Sequence, residues 1–461
     1  MMATLVVRNE LAGELARVAG EPLETAGVLL ARVVEQSGEI RLLGQRVIWA
    51  PDTAYVDRQS DGMGLTSEGY IPALGAADAE GLLPIWLHTH PGEAAAPTPS
   101  RRDAVVDRLI GDLFRTRADV AWYASMIVSP RPGGYSFTGR LDPEYGEPIA
   151  ISRCWEVGDG WKFTQAFDAP EAAVPPIFDR SVRAFGADIQ ATLGALTVGV
   201  VGVGGTGSAV CEQLVRLGVR RLALFDNDVL SDSNVTRVYG STPADVGRPK
   251  VDVARDHLLR IAPELVCSIR QAMITNQRVA RELAACDVVF GCTDDNAGRL
   301  VLSRLSTYLM TPVIDVGVLI SSDADGMLTG IDGRITLLVP GSACLICRDR
   351  IDLRRAAAEQ MTPEERQRLA GEGYAPALGG VEPAVVTFTT AVASAAVTEL
   401  LERLIGFGPD PRPSEILLRW HDREISVNAA APRPGHYCNP SSGKVGFGSA
   451  DPFLEHVWPD A

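Results

Sequence analysis

Two separated groups of residues in this chain have types and spacings suited to chemistry. The first is Gly202-Val-Gly204-Gly205-Thr-Gly207, which follows the β-branched run Val198-Gly-Val200-Val201 and precedes a helix-period stretch with Val210, Leu214 and Leu217 on one face. Glycines at such a strand-to-helix turn let backbone approach a phosphate at the helix N-terminus. A second strand-like segment ends at Phe225, and Asp226 just beyond it is placed to hold a ribose. That much is shared by dinucleotide enzymes and methyltransferases. The residues downstream narrow the choice: Asp228, Asn234, Arg237, Lys250, and Asp294 within Cys292-Thr-Asp294-Asp295-Asn296, with Arg299 behind. A dinucleotide site needs neither a pair of cations aimed at a polyphosphate nor a carboxylate at a third strand end. Cleaving ATP needs both, Arg and Lys to absorb charge on the departing pyrophosphate and Asp to hold Mg2+.

The second group is Leu83-Pro-Ile-Trp-Leu-His88-Thr-His90-Pro91, followed by Ser100-Arg-Arg-Asp103 and preceded by Glu24 in Leu23-Glu24-Thr-Ala-Gly-Val-Leu-Leu30. Strand alternation puts both imidazoles on one face. Two neutral imidazoles and a carboxylate make a three-ligand Zn2+ site whose fourth position is open to water. A plain structural reading competes. Ser100 and Asp103 have the spacing of a capping box, and Glu24 reads equally as a solvated turn residue or as a buried acid that must be paired or used.

These residues need elements to carry them. Residues 9–19 read as an amphipathic helix with Leu11, Leu15 and Val18 inward, and 23–30 as a buried strand. Ser100 opens a helix whose core face is Val106, Leu109, Ile110, Leu113 and Phe114; strands follow at 121–128, 135–139 and 155–163. Residues 166–177 are Pro/Ala-rich and aperiodic, a linker composition. Beyond it, strands and helices alternate: helix 250–261, strand 266–270, helix near 277–285, strand 287–291, helix 300–309 and strand 312–315. The segment 329–339 reads as antiparallel, giving a mixed sheet at the end of a doubly wound core. The apolar helix 384–405 is interrupted by Glu399 and Glu402, so it reads as core rather than as a membrane element.

The 461 residues allow two or three domains, and 46% hydrophobic content supplies their cores. A net charge of −15 argues against a nucleic-acid footprint. No apolar run reaches about 18 residues, so no membrane span is expected. Eight cysteines in so long a chain do not make a disulfide scaffold, and a reducing cytoplasm is the expected compartment.

From Phe178 onward, with Phe178-Asp-Arg180-Ser-Val-Arg183 as the opening, the motifs resemble the E1-like, ThiF/MoeB-type adenylating family. The resemblance implies a Rossmann-like doubly wound mixed sheet over 178–461, with ATP and Mg2+ as cofactors. Its substrate would be a ubiquitin-like or sulfur-carrier protein with a C-terminal glycine, and an E2-like protein would follow where the pathway is conjugation, as in a prokaryotic system linked to defence. It assigns Asp226 to the ribose, Asp294 to Mg2+, Asn234, Arg237 and Lys250 to phosphates, and Arg180 to the partner subunit's site in a homodimer. Asp228 and the glycines Gly202, Gly204, Gly205 and Gly207 complete the nucleotide set, and Asp295 stands where the family more often has Asn.

The His-x-His-Pro, Ser-x-x-Asp and upstream Glu pattern resembles the JAMM (JAB/MPN) metalloprotease family and implies a JAMM-type α/β domain over 1–165. By that resemblance His88, His90 and Asp103 bind Zn2+, Glu24 is the general base and Ser100 steadies the oxyanion. The loop from His90 to Asp103 is slightly longer than the family's usual spacing. Cys344-x-x-Cys347 is half of a zinc knuckle, and the partly matching Arg433-Pro-Gly-His436-Tyr-Cys438 supplies Cys438 and His436 as candidate partners, against the alternative of four ordinary side chains. The segment where the family often carries a thioester-forming cysteine reads Ala377-Leu-Gly-Gly-Val-Glu382 here, so the thiol falls to Cys344 or Cys347 or the reaction stops at the acyl-adenylate.

Overall fold

The structure, a computed structural model, describes residues 2–166, 175–362, 364–366, 368 and 383–459. The chain forms two compact units that divide between residues 172 and 173, the first also taking in Gly446–Gly448. Most of the Pro/Ala-rich stretch at 166–177 and the Ala377–Glu382 segment lie outside the described residues.

The first unit begins β1 (Met2–Arg8), α1 (Asn9–Ala19), β2 (Ala26–Gln36), β3 (Glu39–Trp49), β4 (Tyr55–Arg58), β5 (Met63–Leu65) and α2 (Ile71–Glu80). It continues β6 (Leu83–Thr89), α3 (Arg101–Ala118), β7 (Trp122–Arg131), β8 (Gly134–Pro143), β9 (Ile149–Val157) and β10 (Lys162–Gln165). The strand order is β1-β3-β2-β6-β7-β8-β9-β10, and β9 also pairs in parallel back onto β1, closing the sheet into a barrel. Closure removes the exposed edges that an open sheet would leave. One set of alternating residues, including Leu5, Val7, Leu29, Leu42, Leu87 and Phe137, packs with Leu11 and Leu15 of α1. The opposite set, including Val28, Leu30 and Trp86, packs with Leu74 of α2 and Phe114 of α3. Both faces of β6 are therefore covered, which is why its sequence is a continuous buried run rather than an alternating one.

Three local readings change. β2 starts at Ala26, so Glu24 lies ahead of the ladder; it is nevertheless buried, 8% exposed, not a solvated turn residue. The segment 155–163 is not one strand but the turn of the β9–β10 hairpin. On α3 the inward residues are Asp107, Gly111, Phe114 and Ala118, while Leu109 is 73% exposed. Phe114, Ile110 and Leu113 pack on the core as expected and only Leu109 is misplaced. The face is rotated towards Asp107, which turns inward to satisfied partners, accepting from Tyr123 Oη at 2.6 Å, Arg140 at 3.1 Å and Ser125 Oγ at 3.4 Å.

The second unit opens with α4 (Asp179–Phe185), α5 (Ala187–Ala195), β11 (Thr197–Val201), α6 (Gly205–Arg216), β12 (Arg221–Phe225), α7 (Lys250–Ile261), β13 (Val266–Arg270) and α8 (Gln277–Glu282). Then come β14 (Val288–Gly291), α9 (Asn296–Tyr308), β15 (Val313–Ser322), β16 (Leu328–Leu338), α10 (Leu353–Glu359), the long helix Val386–Ile405, β17 (Glu415–Arg419) and β18 (Glu424–Asn428). The order is β13-β12-β11-β14-β15-β16-β17-β18; the first five are parallel and the last three join antiparallel. The chain reverses direction of winding between β11 and β14, the switch point at which α/β sheets open a ligand crevice. α9 starts four residues before the expected Leu300 because the Asp295 side chain caps it, accepting from Gly298 N. Among the described residues no helix is long and apolar enough to cross a membrane.

Candidate functional sites

At the switch point lies a cavity of about 1180 Å³ lined by Gly202, Gly204, Gly205, Asp226, Asp228, Asn234, Arg237, Lys250 and Asp294, among others. The glycines are there for contact. Gly202 has φ +86°, and a Cβ on it would sit 2.6 Å from the Cys292 carbonyl oxygen. Gly207 does not line the cavity; it packs beneath the turn, where a Cβ would lie 1.8 Å from Gly202 O. Asp226 holds the turn closed, Oδ2 accepting from Val203 N at 2.7 Å and Oδ1 from Asp228 N at 2.9 Å. Burial pushes the Asp226 carboxyl above the usual carboxylate range, with the Lys250 charge opposing.

Lys250 Nζ stands 2.7 Å from Asp228 Oδ2. Arg237 donates to Ser233 O at 3.1 Å, and its stem passes beside Gly205. Asn234 is buried and its Oδ1 accepts from Ser231 N, so in this conformation it shapes the loop. Asp294 is exposed to the cavity, whereas Asp295 is occupied as the α9 cap. Arg180 lies exposed on α4 and is not among the lining residues.

Of the far wall, sequence reasoning named only Arg299 and missed Asp315, Arg334, Arg350 and Arg355. Asp315, fully buried, pairs with Arg334 at 3.0 Å and with Arg299 at 3.3 Å, and Arg350 and Arg355 also line the cavity. Burial lowers the Arg334 guanidinium. A carboxylate inside an apolar strand, at Val313-Ile-Asp315-Val, was the available signal.

In the barrel, His88, His90 and Asp103 each bring one ligand atom to within 4.8 Å of the others. His88 Nε2 is 3.2 Å from His90 Nε2 and 3.3 Å from Asp103 Oδ1, and His90 Nε2 is 3.4 Å from Asp103 Oδ2. Ligand atoms at Zn2+ bond lengths of about 2.0–2.1 Å in a tetrahedron are about 3.3 Å apart. The three donors therefore fit one zinc ion. The capping reading holds as well: Ser100 Oγ accepts from Asp103 N at 3.1 Å and Asp103 Oδ2 accepts from Ser100 N at 2.6 Å. One carboxylate serves both the helix start and the cluster. Burial works against ionisation of Asp103, but the hydrogen bonds from His88 and His90 hold it well below its ordinary value. Glu24 is raised, mainly by burial, with the two imidazoles opposing.

A second cluster joins Cys344, Cys347, His436 and Cys438. Cys347 Sγ is 3.6 Å from Cys438 Sγ, and His436 Nδ1 is 3.6, 3.4 and 3.2 Å from the sulfurs of Cys344, Cys347 and Cys438. Tetrahedral S–S and S–N edges around zinc are about 3.8 and 3.5 Å, so the set fits a closed four-ligand site.

A mixed sheet with a glycine turn at the switch point of its parallel part, two cations and an exposed acid defines a nucleotide-binding α/β protein. The ThiF family matches residues 178–437, more than half of the chain, and the chain belongs to that family. It is similar to the molybdopterin-synthase adenylyltransferase of Escherichia coli (strain K12), 33% identical over 172 residues, covering 37% of this chain and 65% of that protein. It is similar to ubiquitin-like modifier-activating enzyme 5 of Arabidopsis thaliana, 30% identical over 168 residues, 33% of this chain and 37% of that one. The sulfur carrier protein ThiS adenylyltransferase of E. coli is 29% identical over 141 residues, 31% of this chain and 52% of that one. In each case the chain spans less than two thirds of the relative's length. The family match leaves the barrel outside it, and a JAMM domain is not shown there.

Proposed function

We propose that the second unit, over 178–461, transfers AMP from ATP to the C-terminal carboxylate of a small protein whose tail ends in glycine, a sulfur carrier in the first instance. The observation that carries this reading is the meeting of Gly202, Gly204, Gly205, Arg237, Lys250 and an exposed Asp294 in one cavity. The molybdopterin-synthase and ThiS adenylyltransferases are covered over 65% and 52% of their length, against 37% for ubiquitin-like modifier-activating enzyme 5, which favours this over conjugation. Arg237 and Lys250 would take the phosphate charge, Lys250 leaving Asp228 to do so, and Asp226 would face the ribose. Mg2+, held by Asp294, would neutralise charge on the departing pyrophosphate. Arg180, exposed on its own chain, would serve a second copy's cavity. ATP–pyrophosphate exchange tests the reading: it should require a carrier protein with an intact terminal glycine and vanish in Asp294→Ala. Exchange that proceeds equally with the tail glycine deleted would overturn it. A thioester on an E2-like protein would instead favour conjugation.

The first unit, over 1–165, we propose as a zinc-dependent hydrolase of the amide bond after such a tail. Its support is the His88, His90 and Asp103 geometry beside a buried Glu24. Zinc bound there supplies a Lewis acid and lowers the pKa of water. Glu24 would accept the proton, and Ser100, whose Oγ accepts from Asp103 N, keeps its own proton to donate to an oxyanion. Glu24→Gln should keep one zinc and lose cleavage; normal cleavage by that variant would remove the assignment. The Cys344, Cys347, His436 and Cys438 cluster we read as structural zinc, whose sulfurs are then unavailable as nucleophiles.

A further inference from the structure

Glu24 sits where a strand ladder has run out. The first residue of β2 with partners on both sides is Ala26, which pairs with His88 and whose carbonyl accepts from Ala50 N at 2.9 Å. Ahead of it, side chains replace the missing strand. Ala26 N donates to Tyr55 Oη at 2.9 Å, and Thr25 N donates to Thr89 Oγ1 at 2.9 Å. Thr89 N returns a bond to Thr25 O at 2.9 Å, tying this segment to the strand that carries the histidines. Glu24 N donates to Gln59 O at 2.8 Å.

The remaining acceptors are taken by one guanidinium. Arg58 Nε donates to Glu24 O at 2.9 Å, and its NH2 group donates to Thr25 Oγ1 at 2.6 Å. The same guanidinium lies 4.5 Å above the Tyr55 ring, and its third nitrogen reaches Asp52 at 3.3 Å. A planar fork with fixed donor angles can fix two neighbouring residues at once; an ammonium cannot. None of these bonds goes to the Glu24 carboxylate, so the Glu24 main chain is fixed without engaging it.

We infer that Arg58, braced on Tyr55, is a positioning residue for Glu24, fixing the acid beside the strand end that carries His88 and His90 while leaving its carboxylate free to accept a proton. The inference rests on the hydrolytic reading of this site. A proton acceptor displaced by about 1 Å loses much of its rate advantage while the ligand set stays intact.

The test uses the zinc-loaded full chain and an internally quenched peptide spanning a Gly-Gly amide bond. It compares wild type, Arg58→Ala, Arg58→Lys, Tyr55→Phe and Glu24→Gln for kcat, KM, zinc content and thermal midpoint. Arg58→Ala should lower kcat about 50-fold with zinc and KM unchanged, and millimolar guanidinium should restore part of it. Arg58→Lys should stay well below wild type. Tyr55→Phe, which keeps the ring under the guanidinium and loses only the Ala26 bond, should cost about fivefold. Wild-type kcat in Arg58→Ala overturns the inference. So does a parallel loss of zinc, midpoint and kcat that guanidinium does not rescue, if Tyr55→Phe is also silent. If wild type holds no zinc, or Glu24→Gln cleaves as well as wild type, the hydrolytic reading itself fails.

Discussion

The nucleotide cavity and the barrel cluster solve one problem, holding charged groups in register, in opposite ways. The cavity's core is contiguous: strand, glycine turn, helix and second strand fall within Thr197–Phe225. The barrel cluster takes Glu24 from the approach to one strand, His88 and His90 from the end of another, and Asp103 from the first turn of α3. Contiguous sites are set by local sterics, and assembled sites by how distant elements dock. The first should fail through backbone clashes and the second through lost anchoring.

The largest expected effect breaks the contiguous site. Gly207→Ala puts a Cβ 1.8 Å from the Gly202 carbonyl oxygen, with backbone on the other side of the clash. ATP affinity measured by calorimetry should fall at least about 100-fold, since the turn that presents the amides must move. Zinc content of the barrel cluster should not change. Tight ATP binding by this variant would show that the turn is not where phosphate sits.

The assembled site should break at an anchor remote from the ligands. Asp107 lies one helical turn beyond Asp103, and its bonds to Tyr123, Arg140 and Ser125 pin α3 to β7 and β8. Asp107→Ala removes the acceptor of Tyr123 Oη and leaves Arg140 with Asp142, and should cost about 2 kcal/mol, less than a fully buried pair because Arg140 is 41% exposed and keeps that second acid. Zinc affinity should weaken with it while ATP binding stays. Unchanged zinc affinity would mean that the helix start is held by its capping box alone.

A smaller, pH-dependent effect belongs to the second unit. Burial, with help from the Arg304 charge, lowers the His456 imidazole to about 4. Its Nε2 has no hydrogen-bond partner among the described residues. The unfolded chain binds a proton near pH 6.5, so the contribution is fully present above that value and is lost as pH falls through about 4. Chemical denaturation should show about 3 kcal/mol less stability at pH 4 than at pH 7 from this group. His456→Leu should flatten that part of the profile; an unaltered profile would place the acid sensitivity elsewhere.

The smallest effect is a control on docking. Leu109→Ser on α3 should change stability by under about 0.5 kcal/mol, because that side chain is 73% exposed despite lying on the face that hydrophobicity favours. A loss above about 2 kcal/mol would mean that the helix is rotated from the described docking.

The order of elements from β11 to β15, the β-α-β turn, the start of α7 at Lys250 and the capping box at Ser100 were legible, because each is a local consequence of glycine conformation, side-chain period or a cap; β1, β3 and α2 of the first unit were not read. The His88, Thr89, His90 alternation likewise sets two rings on one face without any tertiary information. What distance along the chain conceals came only from the fold. Closure of the first sheet depends on β9 finding β1, which no window of sequence contains. The inward turn of Asp107, the Asp315–Arg334 pair on the cavity's far wall and the Arg58 fork on Glu24 each place a charge where hydrophobicity alone would not. Their cost of burial is offset by partners 16 to 34 positions away: Asp107–Tyr123 at 16, Asp315–Arg334 at 19 and Arg58–Glu24 at 34. Local propensity decides which elements form; desolvation and the geometry of remote partners decide which of their polar residues may turn inward.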